Sequence, residues 1–159
     1  MKMWLVMNVK DKTPSKRIRI VSIKMVRAAS VLYDIRKIGS PKDGVELGKK
    51  FLDDADREQL LVCCLDTKNQ PTAINVVSVG SLNSSIVHPR EVFKPATLGN
   101  SASIILFHNH PSGDPAPSRE DISITERIRE SGRMLGIELI DHIIIGNDSY
   151  CSLKEKGII

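Results

Sequence analysis

The chain has 159 residues, 41% of them hydrophobic and 26% charged, the profile of an ordinary globular protein long enough for one domain with its own core. No apolar run approaches the ~20 residues of a membrane span. "MKMWLVMNVKDK" has a short apolar patch and no small-residue cleavage site, so no signal peptide, no membrane contact and a cytoplasmic location are expected. The net charge of +4 is uneven: residues 1–42 hold 11 Lys/Arg against 2 Asp/Glu, and the remainder 12 against 17. A basic head on an acidic body suits a solvated leader, or a weak contact with nucleic acid through residues 1–42. Aromatic content is only 4%, without the interleaved rings of a single-strand binder. The cysteines, Cys63, Cys64 and Cys151, are odd in number and lack CxxC spacing, which argues against disulfides and a cysteine-rich zinc site.

Residues 1–16 read as a tail or a loosely attached strand, and "RIRIVSIKMV" (17–26) alternates like a strand. Residues 27–37 are ambiguous. "SPKDGVELGKKFLDD" (40–54) predicts a helix, with Ser40 as N-cap, Pro41 at the first helical position and Asp43 three residues after the cap. "EQLLVCCLD" (58–66) is a continuous apolar run suited to a buried strand, and "TAINVVSVG" (72–80) pairs with it as a hairpin. "HPREVFKPATLGN" (88–100) has helical character, but Pro95 predicts a kink or two short pieces. "SASIILFHNH" (101–110) reads as a strand, 118–135 as a helix ending near Gly136, 137–146 as a strand and 150–153 as a short last one. This order predicts an α/β or α+β fold with a mixed sheet covered by helices.

The chemistry concentrates in "SIILFHNHPSGDPAPSREDI" (103–122). Side chains two apart on a strand point the same way, so His108 and His110 can face one cation, and two neutral imidazoles suit Zn²⁺. The turn-rich loop Pro111–Pro117 can bring Asp121, in the first turn of the next helix, back beside the strand end. Two histidines and a carboxylate leave a fourth position for water, the open site of a hydrolytic zinc enzyme. Ser118 with Asp121 is also an N-cap with an acidic partner three residues on, and the two roles can coexist.

The pattern H-x-H-x7-S-x2-D reproduces the JAMM metalloprotease motif of the JAB/MPN fold. "HNHPSGDPAPS", "VSVGSLNSSIVHPREVF" (77–93) and "DHIIIG" (141–146) resemble the RadC-like branch, loosely labelled DNA repair. The resemblance covers residues 35–159 as the MPN domain, behind a basic leader or strand segment at 1–34. It implies a curved mixed β-sheet flanked by helices, of cytidine-deaminase-like architecture. It implies one zinc per chain held by His108, His110 and Asp121, and a water that attacks a peptide or isopeptide carbonyl of a protein substrate. Ser118 would steady the tetrahedral intermediate. The family's general-base glutamate falls on Glu58; the chemistry of the sequence alone leaves Glu46 and Glu91 open beside it. The family's helix-hairpin-helix module has no room in the leader and is expected to be absent. Strand edges in this fold are compatible with a homodimer.

Other polar residues are expected in lesser roles. His142 and Asp141 would be hydrogen-bonding partners behind the site or in the core, with His142 weighed as a further nitrogen near the zinc. His88 would order its loop, and Ser112 would support the HPSG turn. An HNH nuclease is disfavoured because its histidines are spread over a ββα unit. HExxH and the deaminase pair of H-x-E with PCxxC are absent. The remaining rival is a non-catalytic protein- or DNA-interaction module on an MPN fold.

Overall fold

A computed structural model describes residues 16–80 and 87–159. Among the described residues, three helices and five strands follow in the order α1 (Pro41–Leu52), β1 (Gln59–Leu65), β2 (Pro71–Val79), α2 (Pro89–Leu98), β3 (Ser103–Asn109), α3 (Arg119–Leu135), β4 (Glu138–Ile145) and β5 (Tyr150–Ser152). The strands form one mixed sheet in the order β2-β1-β3-β4-β5. β3 runs antiparallel to β1 and parallel to β4, and the other neighbours are antiparallel. The α/β fold with a helix-covered mixed sheet is therefore as expected.

β3 is buried along its whole length, which is why its sequence is a continuous apolar run rather than an alternation. Its even-numbered side chains Ile104 and Leu106 join Leu60, Val62, Phe93, Ile124 and Ile128 in one core, under α2 and α3. Its odd-numbered Ile105 and Phe107 join Leu61, Cys63, Val45, Leu47 and Ile143 in a second core, under α1. His108 continues the even-numbered row, so the register of β3 aims it at the face carrying α3.

Local sequence explains the helix ends. Ser40 Oγ accepts from the Asp43 backbone N–H, and Asp43 Oδ2 accepts from the Ser40 N–H at 2.9 Å, a complete capping box. Ser118 and Asp121 build the same box at α3. At the other end of α3 the Ile137 N–H reaches back to the Gly132 carbonyl and the Gly136 N–H to that of Arg133, the paired bonds of a Schellman ending.

Three expectations differ from the structure. Residues 16–37 contain no helix or strand, and Ile18 and Ile20 stay exposed. Alternation supplies a face, but a strand also needs a neighbour to take its backbone hydrogen bonds, and this segment has none in the sheet. α2 is a single helix with Pro95 inside it. The proline removes one N–H, while Val92, Phe93 and Ala96 on either side are buried in the first core and hold the turns together. β3 ends at Asn109, so His110 sits one residue past the strand; its N–H still bonds to the Ile145 carbonyl and continues the β4 edge. The tail expected at the start of the chain lies, up to residue 15, outside the described residues.

Gly132 is a close-approach position. A Cβ there would stand 2.4 Å from the Ile137 carbonyl oxygen and 3.1 Å from Phe93 Cζ. Alanine improves helix propensity by about 1 kcal/mol, but a backbone oxygen in a capped helix end cannot step aside cheaply. Gly132→Ala is expected to lower stability by a net 1–3 kcal/mol or so in urea unfolding; an unchanged or raised midpoint would contradict this packing.

Candidate metal centre

The parallel β3–α3–β4 crossover places the carboxyl end of β3 beside the first turn of α3, where open α/β sheets form their crevices. The loop between is held to the end of β4. The Gly113 N–H bonds to the His110 carbonyl, and the Asn147 N–H bonds to the Gly113 carbonyl. Gly113 has φ +83, a left-handed backbone conformation that favours glycine. Asp114 Oδ1 accepts from the Ala116 N–H, and Ser112 Oγ accepts from the Asp114 N–H within the same turn.

This loop orients His110. Its Nδ1 lies 2.7 Å from the Asp114 backbone carbonyl, which can only accept, so Nδ1 donates and Nε2 is the nitrogen that faces inward. His108 Nε2 is 2.8 Å from His110 Nε2. Asp121 divides its two oxygens. Oδ2 accepts from the Ser118 N–H and the Ser118 hydroxyl, both at 2.7 Å, while Oδ1 lies 3.3 Å from His108 Nε2. His110 Nε2 is 3.5 Å from Oδ2. One ligand atom from each of His108, His110 and Asp121 lies within 4.8 Å of the others, and this group could hold a metal ion. Ligand atoms around a tetrahedral zinc stand about 3.3–3.6 Å apart. The two histidine–carboxylate spacings, 3.3 and 3.5 Å, match such an ion, and the imidazole–imidazole spacing of 2.8 Å would open by about half an ångström to admit it.

The electrostatics match. Burial, with the neighbouring His142, pushes His108 well below the usual histidine range, so it is a neutral imidazole rather than half of an ion pair with Asp121. His110 is raised, first by its contact with Asp121 and also by the charge of Glu58. Burial alone would raise Asp121, but the contacts with His110, His108 and Ser118 outweigh it and hold the carboxyl well below the usual range.

Glu58 precedes β1, directly before the strand that pairs with the end of β3. Asn109 places it. Asn109 Oδ1 accepts from the Gln59 N–H at 2.8 Å, and its Nδ2 donates to the Arg57 carbonyl at 3.1 Å, so one side-chain amide brackets Glu58. Glu46 is exposed on α1, over the opposite face of the sheet, and Glu91 pairs with Lys94 at 2.6 Å. His142 does not join the three converging groups: its Nε2 meets His108 Nδ1 at 2.8 Å, behind the site. Burial pushes its pKa down to about 4. Asp141 accepts from the His142 and Lys154 N–H groups and from the Ser152 hydroxyl, fixing the turn after β5. His88 is exposed at the N-cap of α2 and makes no side-chain cap.

Two residues went unnoticed in the sequence. Asn109 is the middle letter of "HNH" and reads as a spacer. Thr125, buried in α3, is 2.6 Å from His142 Nδ1 and carries no motif signal.

Comparison with known proteins gives a consistent picture. A family model described as RadC-like JAB domain matches residues 38–158. UPF0758 protein Mbar_A2303 of Methanosarcina barkeri is 56% identical over 124 residues, 78% of this chain and 54% of its own length. A UPF0758 protein of Clostridium beijerinckii is 54% identical over 86% of this chain and 59% of its own. One of Methanococcoides burtonii is 49% identical over 92% and 65%. The chain thus spans between about half and two-thirds of the length of these curated relatives.

Ser118 Oγ also accepts from the Asp121 backbone N–H at 3.1 Å. Ser118→Ala is expected to cost about 0.5–2 kcal/mol of stability through the lost cap, measured by denaturant unfolding of metal-free protein. A cost near zero would mean that the box does not hold α3.

Proposed function

The chain belongs to the RadC-like JAB domain family, and from that premise we propose that it is a zinc-dependent hydrolase of the metallopeptidase or isopeptidase type, acting on a protein or peptide substrate. The observation that carries this reading is the convergence of His108 Nε2, His110 Nε2 and the Asp121 carboxylate at the end of β3. His108, His110 and Asp121 would hold zinc, which would supply Lewis acidity and make water a better nucleophile near neutral pH.

The chain's own groups do the rest. Glu58, at the mouth of β1 and near enough for its charge to act on His110, takes a proton from the attacking water and returns it to the leaving amine. Ser118 stands at the N-terminus of α3, where its hydroxyl and the positive end of the helix favour the negative charge that develops on the carbonyl oxygen.

Protein supplied with zinc is expected to hold about one ion per chain by elemental analysis, and Asp121→Ala to lose it. Glu58→Gln is expected to keep the ion and lose roughly 100-fold or more in turnover of a peptide or isopeptide substrate. Absence of zinc from the unmodified protein, or full turnover by Glu58→Gln, overturns the reading.

A second reading concerns the basic head. Arg17, Arg19, Lys24 and Arg27 are exposed along a segment without helix or strand, an arrangement able to follow a phosphate backbone. Binding to duplex DNA that weakens steeply with salt, and disappears when residues 1–30 are deleted, is the expected result. Binding that ignores salt removes this reading.

A further inference from the structure

A neutral imidazole carries one proton, and only the other nitrogen can bind a metal. For His110 the choice is made by the Asp114 carbonyl. For His108 it is made through His142, of the "DHIIIG" stretch, and Thr125, which no motif contains. Thr125 Oγ1 lies 2.5 Å from the backbone carbonyl oxygen of Asp121 and 2.6 Å from His142 Nδ1. The carbonyl can only accept, so the single hydroxyl proton of Thr125 points to it. The oxygen of Thr125 must then accept, and His142 Nδ1–H donates. His142 Nε2 is left with its lone pair, 2.8 Å from His108 Nδ1. His108 therefore donates from Nδ1, and its Nε2 is bare, facing His110 and Asp121. Run the other way, the series would leave the Thr125 oxygen and the Asp121 carbonyl oxygen 2.5 Å apart with no proton between them. Thr125, His142 and His108 are at most 1% exposed, so solvent offers no substitute partner.

We propose that Thr125 and His142 are positioning residues, which relay hydrogen bonds from the Asp121 backbone carbonyl to His108 Nδ1 and so hold the Nε2 lone pair of His108 toward a divalent cation of the zinc class. The relay starts on the backbone of one ligand and ends on the ring of another. It ties α3, β4 and β3 together at the point where their side chains must agree. It rests on the metal reading above, but the tautomers it requires exist without metal.

Two measurements test it. Long-range ¹H–¹⁵N spectra of metal-free protein are expected to show His108 and His142 both protonated on Nδ1; a proton on Nε2 of either ring overturns the relay. Zinc affinity is then compared by competition with a chromophoric chelator for the unmodified chain, Thr125→Val and Thr125→Ser. Valine is expected to weaken binding about 10–100-fold, and serine, which keeps the hydroxyl, to restore most of it. Zinc binding by Thr125→Val equal to that of the unmodified chain overturns the inference and leaves the metal site standing. If the unmodified chain binds no zinc, the metal reading falls and takes the inference with it. If Thr125→Val does not fold, the spectra of the unmodified protein decide.

Discussion

The arrangement depends on one carboxylate with two tasks. Asp121 is 2% exposed, at the first turn of a helix that packs on an apolar sheet. A charge in such a place survives only if it is hydrogen-bonded or paired. Oδ2 is satisfied by the Ser118 backbone and hydroxyl, which also fixes where α3 begins. Oδ1 is thereby turned toward His108. Helix initiation and carboxylate orientation are one geometric event, so the start of α3 cannot slide by a residue without moving the carboxylate away from the two histidines.

The sheet supplies the opposing constraint. β3 is the middle strand, covered on both faces, and its register cannot slip without carrying Phe107 out of one core and Leu106 out of the other. That locks His108 to the α3 face. β1 is held to β3 over six residue pairs, from Leu65–Ser103 to Leu60–His108, and Asn109 extends the grip beyond the last pair to the residues either side of Glu58. The polar groups of the site thus hang from the ends of rigid elements, where small errors of placement are least tolerated and best suppressed.

Local signals were legible where the cause is local. The apolar runs of β1 and β3, the hairpin and both capping boxes follow from a few neighbouring residues. Yet the two boxes show the limit. Ser40–Asp43 and Ser118–Asp121 are the same S-x-x-D pattern with the same hydrogen bonds, but Asp43 caps a helix near solvent while Asp121 lies against two histidines. Only the H-x-H eleven residues upstream distinguishes them in sequence. The strand expected over 17–26 failed for the opposite reason: its alternation was real but no neighbour in the sheet took it up. Thr125 and Asn109 were invisible because their meaning is tertiary. Thr125 meets a ring 17 positions away, and Asn109 meets backbone 50 and 52 positions away.

Ser118 is where capping and the proposed chemistry compete for one proton. Its hydroxyl donates to Asp121 Oδ2 at 2.7 Å, and a carbonyl oxygen gaining charge would call on the same O–H. The box does not depend on that donation. Its two essential bonds are the Asp121 N–H to Ser118 Oγ, in which the hydroxyl accepts, and the Ser118 N–H to Oδ2, in which the hydroxyl takes no part. The O–H can therefore rotate toward substrate while both backbone bonds persist. Oδ2 would lose one of its two donors from Ser118 in that event, leaving it more electron-rich as charge appears on the substrate. A serine at the N-cap can thus serve the helix with its lone pair and backbone, and the reaction with its proton.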